Sequence, residues 1–317
     1  MTKDTIGDLY TDFLLCSTSQ AAATTMARRL DQKLRHDQIT RWLTAETRTS
    51  ADLWRLVKPL LRTLAHPAGV LIVDDSIAAK PHTAESPLVC CHYDPKEGRN
   101  IKGIQFLSAC YEVAGVTLPV ACDLVTKPVR YLDEKDQRWK RKSETGKNER
   151  YRRLLHSTAT NGVEFGYVLN DTWFASAGNM KYVKGTLNKD FVRPLKVNRK
   201  VALSQAAQRA KRFQAVTSLN LAEAATCEIW LEDVPFALLL CREVFTHEDG
   251  RQDTRYLVTS DVTLASQQMS ELYQRRWSIK EYHKSLKQNA SLENAPVRTG
   301  VTQRNHLWAG VCAPTSN

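Results

Sequence analysis

A chain of 317 residues, 42% of them hydrophobic, can bury a sizeable core and divide into two or three units. Its 45 Lys and Arg against 34 Asp and Glu give a net charge of +11 and a pI near 9.3, which favours a polyanionic partner such as DNA or RNA. No apolar run of about 18 residues and no signal sequence is recognisable, which argues against a helical membrane span; the eight cysteines, with no CxxC pair, read as reduced thiols of a cytosolic protein rather than a zinc site.

Residues 1–66 show helical periodicity with almost no Gly or Pro, carried by Ile6, Leu9, Tyr10, Phe13 and Leu14, then Met26, Leu30 and Leu34, and later Leu53 to Leu64. Within this unit, Leu34 to Leu43 reads as the second helix of a helix-turn-helix, with Gln38, Thr40 and Arg41 available to face a DNA groove. Pro67-Ala-Gly69 ends the helices, and Val70 to Asp75 reads as a buried strand ending in two acids. Successive strand residues point to opposite faces, so Asp74 and Asp75 cannot serve one site equally. Ile104–Val113 and Val116–Val125, joined at Ala114-Gly115, predict an antiparallel hairpin. The basic run from Lys135 to Arg153 reads as a solvated loop entering a helix that buries Tyr151, Leu154 and Leu155. Tyr167 to Asp171 is a second strand ending in an acid, followed by Thr172-Trp173-Phe174, and Asp190 to Val197 reads as a further strand. Residues 205–262 change character and predict a β-rich insertion with a turn at Glu248-Asp249-Gly250.

The last part of the chain predicts a helix in which Leu272, Ile279 and Leu286 recur at heptad spacing. On one continuous helix Tyr273, Arg276, Lys280 and Lys287 share the adjacent stripe, and Glu281 lies about 100° further round. Tyr273, Arg276 and Lys287, with the flanking Arg-Trp277 and Tyr282-His283-Lys284, resemble the Tyr-x2-Arg-x3-Glu-x6-Lys signature of DDE transposases of bacterial insertion sequences, the IS-four-like group. The Glu of that signature falls on Lys280, with Glu281 beside it. Asp74-Asp75-Ser76 resembles the family's first acidic motif, which selects Asp75, and Asp171-Thr-Trp173 its second.

The resemblance implies an α/β fold, with an RNase H-like mixed sheet and flanking helices. It divides the chain into a helical DNA-binding domain over 1–66, a catalytic core over 67–204, the insertion over 205–262, and core helices over 263–317 that Ala313-Pro314 cuts short, as in a truncated copy. It implies Asp75, Asp171 and, if the helix turns or bulges, Glu281 as catalytic ligands of two Mg²⁺ or Mn²⁺ ions, which suit hard carboxylate donors. Tyr273, Arg276, Lys284, Lys287, Trp173, Gln38 and Arg41 are the implied DNA contacts. The implied activity is cut-and-paste transposition: binding of terminal inverted repeats, metal-dependent cleavage and strand transfer. The implied partners are double-stranded DNA and a second copy of the chain on paired ends, in the cytoplasm at the bacterial nucleoid. The alternative is a relic that binds DNA without cutting it, favoured by Lys280.

Overall fold

The computed structural model describes residues 3–17, 21–45, 47–95, 97–293, 296–297 and 299–313; the end of the chain at 314–317, on which the reading of a truncated copy rests, lies outside them. The chain begins with helices α1 (Lys3–Leu15), α2 (Ala23–Arg29), α3 (His36–Ala45) and α4 (Ser50–Leu64). The first three close around Tyr10, Leu14, Met26, Ile39 and Trp42. α4 starts on a capping box between Thr49 and Asp52, and lies on the central sheet: its Leu53 and Val57 pack with Ile72, Phe106 and Cys110.

The sheet is built outward from β1 (Val70–Ala79), whose β-branched run is buried on both faces because helices cover both. β2 (Cys90–Asp94) and β4 (Val116–Leu124) both pair with β3 (Arg99–Val113), which lies antiparallel to β1. A separate two-stranded ribbon follows, β5 (Val129–Asp133) and β6 (Arg138–Lys142), and then α5 (Lys147–Thr160) crosses to β7 (Tyr167–Asn170), which runs parallel to β1. After α6 (Ala177–Lys181), β8 (Asp190–Leu195) pairs parallel with β7. The order β4-β3-β1-β7-β8, with one antiparallel strand between parallel ones, is the mixed α/β, RNase H-like arrangement expected from the sequence.

Two short strands, β9 (Lys200–Val201) and β10 (Gln214–Ala215), flank α7 (Gln205–Arg209). The β-rich stretch that follows joins the main sheet: β11 (Thr226–Ile229), β12 (Leu238–Thr246) and β13 (Gln252–Thr259) form a meander, and β13 pairs antiparallel with β8. The described residues thus make one sheet of nine strands. α8 (Ser266–Gln274), α9 (Trp277–Asn289) and α10 (Gly300–Cys312) end the chain. α9 buries Ile279, Tyr282 and Leu286 against the sheet face that also carries α4. α10 reaches the N-terminal helices: His306 Nδ1 lies 2.9 Å from the Tyr10 hydroxyl, and the Asn305 amide donates to the Leu43 carbonyl at 2.8 Å.

Two expectations are corrected. The basic run from Lys135 to Arg153 does enter a helix, α5, which buries Tyr151, Leu154 and Leu155, but its first part is not a solvated loop: Arg138–Lys142 is strand β6 of the β5–β6 ribbon. Lys140 bridges Asp133 and Asp136 at 2.6 and 2.8 Å across the turn, and the Arg130 guanidinium covers Trp139 at 5.2 Å, so charge and aromatic side chains hold a ladder that charge patterning alone conceals. The last helix is not continuous, since α8 and α9 break at Arg275-Arg276. No Gly or Pro causes the break. Arg275 is drawn aside to β3, where its guanidinium binds the Glu112 carboxylate and donates to the carbonyls of Glu112 at 2.9 Å and Ala68 at 3.0 Å.

Gly103 tests the closeness of β1 and β3. A methyl group there would stand 2.3 Å from the Ala78 carbonyl oxygen and 2.9 Å from Ile77 Cγ2. Gly103→Ala is expected to cost about 2 kcal/mol, read as a lower urea midpoint at unchanged slope. An unmoved midpoint would contradict this strand spacing.

Candidate active site

Three carboxylates gather midway along β1 and just beyond the end of β7. The expectation that the first strand ends in its two acids is corrected, since β1 runs on to Ala79 with Asp74 and Asp75 paired to Ser108 and Leu107 of β3. The parallel register pairs Val73 with Asn170, so Asp74 and Asp171 come next on adjacent strands. β1 alternates across this point. Asp74 turns toward α9, where the Arg276 guanidinium stands 3.6 Å away, whereas Asp75 turns toward α5, where Lys147 Nζ lies 2.6 Å from one oxygen. Gln105 Nε2 donates to the other Asp75 oxygen at 2.6 Å. Asp171 leaves β7 as the cap of a single 3₁₀ turn, its carboxylate accepting from the Trp173 N–H at 3.0 Å.

The three acids sense one another. Burial, then the charges of Asp171 and Asp75, raise the Asp74 pKa to about 6, against the opposing pull of Arg276 and Lys280. Burial and Asp75 raise that of Asp171, opposed by Lys147 and Arg276. Three cations therefore balance three carboxylates. Lys280, one turn along α9 from Arg276, is exposed with its ammonium 5.8 Å from the Trp277 ring, and its charge acts on Asp74.

The structure brings together Asp75, Asp171, Arg276 and Tyr273 of the residues singled out in the sequence, with Trp173 at their margin. Trp173 is 57% exposed, and Lys147 and Lys196 stand over its ring at 4.9 and 5.9 Å. Tyr273 is buried beneath Arg255 and Arg276, at 4.8 and 5.3 Å, and burial raises its pKa, with Arg276 opposing and Asp171 adding, so Tyr273, Arg276 and Lys280 of the expected stripe all border the acids across the helix break. Lys284 is exposed and Lys287 half-buried; neither acts on the acids, and Lys287 lies instead near the buried, neutral His283. Gln38 is used within its own helix, its side-chain oxygen accepting from the Arg35 N–H at 2.9 Å, while Arg41 is exposed beside Asp37 at 3.4 Å.

Glu281 is the clearest departure from the expected ligand set. It is exposed, flanks the buried Tyr282, and does not act on Asp74 or Asp171. α9 keeps regular helical turns beyond the break, so neither the rotation nor the bulge that Glu281 needs takes place. The donors do not fit a two-ion site: both Asp75 oxygens are engaged by Lys147 and Gln105, Arg276 faces Asp74, and no group of three His, Cys, Asp or Glu among the described residues is placed to hold a metal. Reasoning from the sequence set Asp74 aside in favour of Asp75, counted Lys147 only within the basic run and did not single out Gln105. Strand alternation had already placed Asp74 opposite Asp75, but only the β1–β7 register shows which acid faces α9.

No helix among the described residues is long and apolar enough to cross a membrane. The profile of the DDE superfamily endonucleases matches residues 2–215. No curated protein matches the chain. Among solved structures it is similar to a chain of the Drosophila P element transposase strand transfer complex, with 14% identity and a TM-score of 0.30, over 60% of this chain and 37% of that one. The chain thus spans well under two thirds of that relative's length.

Proposed function

Since the chain belongs to the DDE superfamily endonucleases, we propose that it acts in DNA transposition by binding the inverted-repeat ends of an insertion sequence, as a dimer on paired ends. The observation that carries this is the cluster of Asp74 and Asp75 on β1 with Asp171 just after β7, bordered by Arg276, Lys280, Lys147 and the exposed Trp173. A phosphodiester seated there would meet guanidinium and ammonium donors suited to its oxygens. The net charge of +11 supplies the long-range attraction.

Two readings diverge after binding. The family's activity is cleavage and strand transfer at the acids. Lys280 favours the other, in which the chain holds its ends without cutting them: the third acid is replaced by an ammonium whose charge reaches Asp74, and Glu281 stands outside. We take the second as the better supported for this sequence.

Gel-shift and cleavage assays on a duplex carrying the element's ends, in Mg²⁺ and in Mn²⁺, decide between them. The unaltered protein is expected to bind the ends in preference to unrelated DNA and to leave them intact. End-specific nicking that Asp171→Ala abolishes would overturn the holding-only reading. Absence of any preference for the ends would overturn the functional assignment itself.

A further inference from the structure

The β5–β6 ribbon plays no part in the site described above. In its ladder Leu132 lies opposite Trp139 and Arg130 opposite Arg141, so these four side chains share one face. Trp139 is 61% and Leu132 45% exposed, which places an apolar pair in solvent beneath the Arg130 guanidinium. On the other face the Lys142 ammonium stands 5.6 Å from the Tyr131 ring.

The ribbon is fixed at root and tip. At its root, Arg141 Nε binds Glu85 at 2.8 Å, and Arg150 spans from Asp123 at 2.8 Å to Ser143 at 3.0 Å. At its tip the Gln137 N–H donates to the Asp133 carbonyl at 2.8 Å. Such anchoring lowers the ordering cost of meeting a partner. Its position is equally constrained. It leaves β4 just beyond Asp123, which pairs with Leu107, itself the partner of Asp75, and it returns into α5, whose first residue, Lys147, holds Asp75.

Charge selects the partner. From Val129 to Lys142 there are six Lys and Arg and three acids, and two of the acids, Asp133 and Asp136, are already bound by Lys140. A two-stranded antiparallel ribbon also has the width that the major groove of B-DNA admits. We propose that β5–β6 is a second DNA-binding element, which enters the major groove of the duplex beside the acid cluster. Trp139 and Leu132 lie against base edges and thymine methyl groups, and Arg130, Arg138 and Lys142 meet phosphates. This rests on the reading of the protein as an end-binding one.

The test uses the full chain and an end-bearing duplex, with affinity measured as a function of salt. Trp139→Ala combined with Leu132→Ala is expected to weaken binding about tenfold without changing the salt slope. Replacing Arg130, Arg138 and Lys142 together by Ala is expected to flatten the slope of log K against log salt by about 2 to 3, as lost phosphate contacts do. Both variants are exposed substitutions, so melting temperatures near that of the unaltered protein provide the folding control. Methylation protection of guanine N7 should disappear with the ribbon substitutions. If the unaltered protein binds the ends and both variants bind equally well, the ribbon proposal fails alone. If Trp139→Ala instead dissociates a dimer at unchanged DNA affinity, the patch is a contact between copies and the proposal is overturned. If the unaltered protein does not bind the ends, this proposal and the functional reading fall together.

Discussion

Lys280→Glu is expected to raise the affinity of the site for a divalent ion. The substitution removes a positive charge that acts on Asp74 and puts a carboxylate in its place, one turn from Arg276 on the face of α9 that looks onto the acids. Both changes favour a dication. Allowing for screening at an exposed position, Mn²⁺ binding should strengthen about tenfold to a hundredfold, read by calorimetry or by the Mn²⁺ resonance signal without DNA. Cleavage of end-bearing DNA should then appear in Lys280→Glu and vanish again when Asp171→Ala is added. Glu281→Gln should change neither quantity in either background. Equal Mn²⁺ affinity in the unaltered protein and Lys280→Glu would refute the role given to Lys280, and a loss of binding in Glu281→Gln would return Glu281 to the site.

Asp74→Asn is expected to stabilise the fold at neutral pH. Asp74 is 7% exposed, and its pKa is raised from 3.8 to about 6 by burial and by Asp171 and Asp75. A raised folded-state pKa means that the native chain holds the proton more tightly than the unfolded chain does. The stabilisation from that proton is complete below about pH 4 and is lost as pH rises through about 6. Above that, the ionised Asp74 costs about 3 kcal/mol relative to an unperturbed carboxyl, since each pKa unit is about 1.4 kcal/mol. Asn cannot ionise and is free of this cost, so the stability difference between Asp74→Asn and the unaltered protein should grow from pH 4 to 6 and level off above. Urea unfolding at half-unit pH steps measures it. A difference that is independent of pH, or that grows in the opposite direction, would contradict the environment assigned to Asp74. A stability gain at an acidic cluster is what a site shaped for ligand rather than for folding should give.

Strand periodicity and the acids that end two apolar runs made the sheet legible. Val70–Asp75 and Tyr167–Asp171 could be placed on adjacent strands because a hairpin and a helix lie between them, and the structure has that order. The ribbon was not legible. Its alternation is between charged and aromatic residues rather than apolar and polar ones, and its cohesion comes from Lys140, Asp133, Asp136 and a covered Trp139. The break at Arg275 was equally hidden, because local sequence continues a good helix and the force that interrupts it comes from Glu112, which is far away along the chain.

By itself, then, the sequence determined the fold class and singled out Asp75, Asp171 and the anomaly of Lys280, since each is a matter of local pattern or of residue identity. Only the tertiary structure decided that Asp74 belongs to the cluster, that Lys147 and Gln105 hold Asp75, that Tyr273 is buried beneath Arg276 at the margin of the acids and that Glu281 is exposed. The reason is geometric. Which face of a strand meets which helix depends on the register between β1 and β7, and which turn of α9 meets the acids depends on where Arg275 stops α8.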